Sequence, residues 1–258
     1  MILELNGLSR FPLLVLVFSF VAMWISAQIG AFFRKRQPIR EEGMRQDFDF
    51  IVTAILTLLG LIIGFTFAMA TSRYDLRKNY EEAEANAIGT EFVRADLLPT
   101  ANTTRVKSLL RDYLDQRILF YQARNENDLR QINNRTAQKQ TELWSAVYSP
   151  ASAQPTPILA LVVSGMNDVL NSQGYTQAAW WNRIPIAAWS LMIAIAVCSN
   201  LMVGYDRRSA KSNGVLLVLP LILAIAFFLI ADIDSPRSGI IRVLPQNLIS
   251  LSQSLSGQ

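Results

Sequence analysis

Apolar residues along this chain are bunched rather than spread. Residues 11–33, 50–70, 184–205 and 214–231 form four long runs nearly free of charge. About 20 apolar residues in a helix cover the hydrocarbon of a bilayer. Four such runs in 258 residues leave too little polar surface for a soluble globule. The pattern predicts four transmembrane helices. Only Arg10 precedes the first run as a basic residue, and the run exceeds the roughly 7 to 15 apolar residues of a signal peptide, so it reads as a retained span.

Residues 71–183 change period. In "NTTRVKSLLRDYLDQRILFYQAR", Val106, Leu109, Leu110, Tyr113, Leu114, Ile118 and Tyr121 recur at three- and four-residue steps, one apolar face of an amphipathic helix. Asn102 or Thr103 is expected to cap it, just after Pro99. Leu129, Ile132, Leu143, Trp144, Val147 and Tyr148 continue the pattern across a polar centre. "SPASAQPTP" reads as a proline-rich connector, with Thr156 as cap and Pro157 as first turn of another helix. Trp180, Trp181 and Tyr205 bracket the third span as interfacial aromatics would. No strand pattern competes.

The second span has no evident end. No proline occurs between Asp49 and Pro99, so a helix of roughly 74 Å is possible, with Gly89 as the expected break and continuity through Ile88. Arg77 with Glu81, and Lys78 with Glu82, stand four apart and are expected to pair along the solvated half. Within the span, Thr53, Thr57, Gly60, Gly64, Ala68 and Thr71 make a small-residue stripe in which Gly60 and Gly64 form a GxxxG. Thr57, Leu61 and Phe65 make the adjoining face. Two readings stand open: packing against the chain's other spans, or copies of this helix around an axis. In the second, Leu61 and Phe65 point inward as a hydrophobic constriction.

Charge and composition narrow the chemistry. Lys and Arg number 24 against 20 Asp and Glu, and much of the excess lies in two short loops. Loop 34–49 carries Arg34, Lys35, Arg36, Arg40 and Arg45, and loop 206–213 carries Arg207, Arg208 and Lys211. Such placement reports membrane orientation rather than nucleic-acid binding. The positive-inside rule puts both loops in the cytoplasm and residues 71–183 outside. The chain has no histidine, and its one cysteine, Cys198, lies within the third span. That excludes a disulfide within the chain, most His- or Cys-based metal sites and the commonest general base. No catalytic residue, cofactor or metal is called for, and the chain reads as non-enzymatic.

"LGLIIGFTFAMATSRYDLR", "EANAIGTEFVRADLLP" and "DIDSPRSGIIRV", in that order, resemble the bestrophin-like domain family of membrane proteins, formerly a domain of unknown function. The resemblance runs from the second span onward, and the family is distantly similar to the bestrophin anion channels. It implies a homopentamer with four spans per subunit, whose second helix lines a narrow neck and continues into a helical cytosolic domain. That sidedness is opposite to the charge reading. Phe65, directly after Gly64, matches the neck phenylalanine; Leu61 stands where bestrophins have an aromatic and Thr57 where they have a large aliphatic residue. The proline before the bestrophin neck and an acidic calcium clasp have no counterpart here. At the end of the fourth span, Asp232 and Asp234 precede Arg237 and Arg242. They read as an interfacial anchor, or, given the resemblance, as acids that hold the second helix through Arg73 and Arg77.

The expected fold is all-α: four membrane helices, the second extended into water, and a helical extramembrane bundle, in a homo-oligomer. The expected domains are 1–70 with the first two spans, 71–183 as the helical region, and 184–258 with the last two spans and a short tail. The expected function is an oligomeric ion channel for inorganic ions, with anions (chloride) ahead of cations, in the inner membrane of the cell. A non-conducting scaffold or sensor that binds a partner is the alternative, and a secondary transporter using Asp232 the second. Implied partners are the lipid bilayer and other copies of the chain, and no nucleic acid.

Overall fold

All regular structure among the described residues is helical, in keeping with the sequence periods. The computed structural model describes residues 12–36, 42–206 and 215–256. Arg40, Arg207, Arg208, Lys211 and most of loop 206–213 lie outside them, as does the side chain of Arg45. The helices are α1 (Pro12–Arg36), α2 (Glu42–Arg94), α3 (Thr100–Gln122), α4 (Glu126–Ala153), α5 (Pro157–Trp181), α6 (Ile186–Asp206), α7 (Val215–Asp234) and α8 (Gln246–Ser256). A 3-10 turn, Ala95–Leu97, joins α2 to α3. Four helical segments among the described residues are long and apolar enough to cross a membrane. The protein is an integral membrane protein.

Three local expectations change. Gly89 does not break α2, which runs 53 residues to Arg94, roughly 80 Å. A single glycine costs only about 1 kcal/mol in a helix, and tertiary contacts outweigh that. A Cβ at Gly89 would stand 3.1 Å from Leu251 of α8. The supposed connector after Tyr148 remains helical through Pro150 to Ala153, because a proline in a last turn forfeits only one backbone bond. Asn125 caps α4 through the Asp128 N–H and Thr156 caps α5 through the Leu159 N–H, whereas α3 starts at Thr100 without a side-chain cap. Thr103 donates back to the Leu98 carbonyl instead (3.0 Å).

The chain forms two compact units, 1–73 with 183–242 and 74–182 with 243–258. In the first, α1 packs against α6 and α7. The closest approach is backbone to backbone: a Cβ at Gly30 would lie 1.9 Å from the Leu201 carbonyl oxygen, and one at Gly204 2.0 Å from that of Ala27. Ser26 donates across this crossing to the Val197 carbonyl (2.7 Å). Small residues allow such contact, which is what holds helices together where lipid removes the hydrophobic drive.

The second unit is built around the far half of α2. Ile88, Phe92, Val106, Leu110, Leu114, Phe120, Leu143, Val147, Val162, Met166 and Val169 form its buried core. Helix α8 belongs here rather than to a tail: Leu248 and Leu255 are buried, and α8 packs on α3. The tail was invisible as a helix contact because its apolar residues are few and separated by serines.

Candidate functional site

Helix α2 has two unlike faces. Thr57, Leu61, Phe65, Ala68, Ser72, Asp75, Asn79, Glu82, Asn86, Thr90 and Val93 follow one another at three- and four-residue steps, and all are exposed. At about 3.6 residues per turn these positions stay on one side of the helix. Leu61 is 53% and Phe65 65% exposed, although both are apolar. Only 11% of the apolar window of α2 is buried, against 50% for α7, so it is the least covered of the four spans among the described residues. The opposite side carries Leu59, Thr66, Ala70, Arg77, Glu81, Glu84, Ile88 and Glu91, all buried.

The uncovered face is compatible with an apolar surrounding despite its threonine. The Thr57 hydroxyl donates to the Thr53 carbonyl (2.8 Å), and Thr53, Thr66 and Thr71 likewise donate one turn back. Each hydroxyl is thereby satisfied within the helix. Gly60 and Gly64 flank this face, and a Cβ added to either would meet nothing within 4 Å. The chain's own close helix packing uses Gly30 and Gly204 instead, a pair the sequence reading missed because the two glycines sit on different helices and form no GxxxG.

Two of the acids on the covered side of α2, Glu81 and Glu84, bond to other elements of the second unit. Glu81 accepts from the N–H groups of Asn247 and Leu248 (2.9 and 3.0 Å) and from the Asn247 side chain (2.6 Å), so a carboxylate sits at the N-terminus of α8. Arg111 donates to the Leu255 carbonyl at the other end (2.9 Å). The two opposite charges match the two ends of the helix dipole. Among the described residues Lys78 and Glu82, the second of the expected intrahelical pairs, form no ion pair.

Glu84 is fully buried and receives the Arg117 guanidinium, the Tyr121 hydroxyl (3.3 Å) and the Thr176 hydroxyl (3.2 Å). Burial works against the charge of Arg117, but Glu84, with Tyr113 and Tyr121, outweighs it and the Arg117 pKa is raised. Burial and the Glu84 charge also push the Tyr121 phenol up. Around them Phe120, Tyr121 and Trp180 stack edge to face, 5.1 to 5.5 Å apart. Lys107 pairs with Asp96 (2.7 Å), while Asn86 stays exposed.

The acids of the "DIDSPRSGIIRV" segment hold turns. Asp232 accepts from the N–H groups of Ile240 and Ile241, both at 2.7 Å, where the sequence suggested arginine partners. Gly239 lets the chain fold over it, since a Cβ there would stand 2.3 Å from the Asp232 carbonyl oxygen. Asp234 accepts from the Ile184 N–H (3.1 Å), just before α6 begins. Arg73 and Arg237 are half-buried, and Arg77 is 1% exposed on the covered side of α2.

With these turns and the long helix described, the comparison with known proteins becomes specific. The sequence pattern of the Bestrophin-like domain matches residues 14–248. The chain belongs to the Bestrophin-like domain family. No functionally curated protein matches it. Among solved structures it is similar to a bacterial bestrophin homolog from Klebsiella pneumoniae, with 14% identity, a TM-score of 0.63, and coverage of 95% of this chain and 98% of the other. A single-residue variant of that homolog superposes at a TM-score of 0.67 with 14% identity, over 94% and 97% of the two chains. A membrane protein variant matches at 0.61 with 12% identity, over 94% and 99%. The Bestrophin-like chain therefore shares the fold of these structures over nearly its whole length.

Proposed function

We propose that the protein is the subunit of an oligomeric, bestrophin-like ion channel in the inner membrane of the cell, with the exposed face of α2 as its wall. The observation that carries this is the unbroken exposure of one helix face from Thr57 to Val93, apolar at Leu61 and Phe65 and polar from Ser72 to Thr90. An apolar residue set inside a bilayer followed by a polar set outside it is what a conduction path needs: a dewettable constriction, then a wet vestibule. Thr57, Leu61 and Phe65 form the constriction. Gly60 and Gly64, free of contacts in the single chain, seat the neighbouring copy. A homopentamer is implied by the resemblance to bestrophins, and Arg73 and Arg237 join Asp234 in the boundary ion pairs.

Chloride is the permeant ion that the resemblance implies. A specific observation favours cations instead: the charged residues on the exposed face are Asp75 and Glu82, with Lys78 on the flank it shares with Gly60. Acidic rings favour cations. Purified protein in a planar bilayer under a potassium chloride gradient separates these readings through the reversal potential. Unitary currents altered by Phe65→Ala support the channel. Silence from correctly assembled protein at all voltages would leave the helix as a strut in a non-conducting scaffold.

A further inference from the structure

Glu91 is a second buried acid on α2, and it lacks what Glu84 has. Its side chain is 0% exposed, and among the described residues neither carboxylate oxygen has a hydrogen-bond partner. It lies against the backbone of α5 at Gly165: a Cβ on that glycine would stand 2.0 Å from Glu91 Oε2 and 2.5 Å from Arg94 Nη1. Asp168, three residues along α5, adds a like charge, and Arg94, three residues along α2, an opposite one. Among the described residues these are the charges that act on it. Lys107 and Arg111 of α3 are held over the Phe92 ring (4.9 and 5.0 Å), Asp96 is taken by Lys107, and α8 carries no charged residue.

We propose that Glu91 is a proton-binding site that sets how tightly α2 packs on α5 in the extramembrane unit. Protonated, the carboxyl is neutral and fits the dry slot that Gly165 leaves. Ionised, it is a charge without a hydrogen bond, and such a group must draw in water or swing toward Arg94, which parts the two helices. Burial, with help from Asp168 and against Arg94, pushes Glu91 from an ordinary 4.5 up to about 8. The folded protein therefore keeps a proton that the unfolded chain has already released. Its contribution is complete below the unfolded value and is lost as pH rises toward the folded one. Thr90 and Val93 belong to the exposed face, so the slot lies across α2 from the wall proposed above.

The test is thermal unfolding of the intact protein in detergent from about pH 6 to about pH 10, on either side of the folded value. Wild type should lose on the order of 5 °C across this range relative to Glu91→Gln, which stays uncharged. Parallel curves would overturn the proposal. Asp168→Asn, at an exposed position, removes the like charge and should shift the pH at which the wild-type loss levels off downward; an unmoved profile counts against the assignment. Infrared spectra of wild type should show a protonated carboxyl stretch near neutral pH that Glu91→Gln lacks. Absence of that band in folded wild type would overturn the proposal even if the variant failed to fold.

Discussion

Removing the charge of Glu84 should be among the most damaging single changes in the extramembrane unit. Glu84→Gln keeps the volume but leaves the Arg117 guanidinium buried at 0% exposure with one neutral acceptor instead of a carboxylate. The Tyr121 and Thr176 hydroxyls, now bonded at 3.3 and 3.2 Å, must also share that acceptor. Breaking a buried pair by deleting one partner costs about 3–5 kcal/mol, because the surviving charge has been taken out of water without compensation. At about 2–4 °C per kcal/mol for a domain of this size, melting should fall by about 6–20 °C. Near-ultraviolet circular dichroism is the natural assay, since Trp180 packs on Phe120 and Tyr121 at 5.1 and 5.5 Å and reports on this site. The double change Glu84→Leu with Arg117→Met removes both charges and should recover most of the loss. A single variant that loses less than about 1 kcal/mol would refute the reasoning, as would a double variant no better than the single one.

Two further outcomes follow from the same geometry. Gly204→Ala should destabilise the membrane unit by several kcal/mol, since its Cβ would fall 2.0 Å from a backbone oxygen that cannot yield, whereas Gly64→Ala should leave the single chain's stability unchanged and weaken assembly, read by thermal unfolding beside size-exclusion chromatography in detergent. Glu81→Gln should loosen α8 by about 1–3 kcal/mol, seen as faster hydrogen exchange across Gln246–Ser256 with the α3 core still protected; unchanged exchange there would show that Arg111 and the buried leucines hold the helix alone.

The exposed acids matter differently from the buried ones. Asp75 and Glu82 lie on the open face, and Glu81, Glu84 and Glu91 on the covered face, yet all five belong to one charged stretch of sequence. Spacing separates them: the first two are seven residues apart, two turns on one side. What each covered acid meets is not a property of spacing. Glu81 meets a helix terminus about 166 residues away in sequence, and Glu84 meets an arginine on α3 and a threonine on α5.

The sequence by itself determined the class of protein. Four apolar runs are a local property, and a bilayer leaves helix as the way for each to satisfy its backbone. It also determined that α2 runs far past the membrane, since no proline lies between Asp49 and Pro99, and the face on which Thr57, Leu61 and Phe65 lie, since helical period fixes that; tertiary contacts carried the helix on through Gly89 to Arg94. Tertiary structure alone decided which glycines carry close contact. Gly30 and Gly204 are lone glycines on helices far apart in the chain, and only the α1–α6 crossing brings backbone against backbone there. It likewise decided that Asp232 closes a turn, that α8 belongs to the second unit, and that Glu84 meets an arginine while Glu91, among the described residues, meets no hydrogen-bond donor. A carboxylate's worth is set by the few ångströms around it, and those are supplied by residues that no local pattern names.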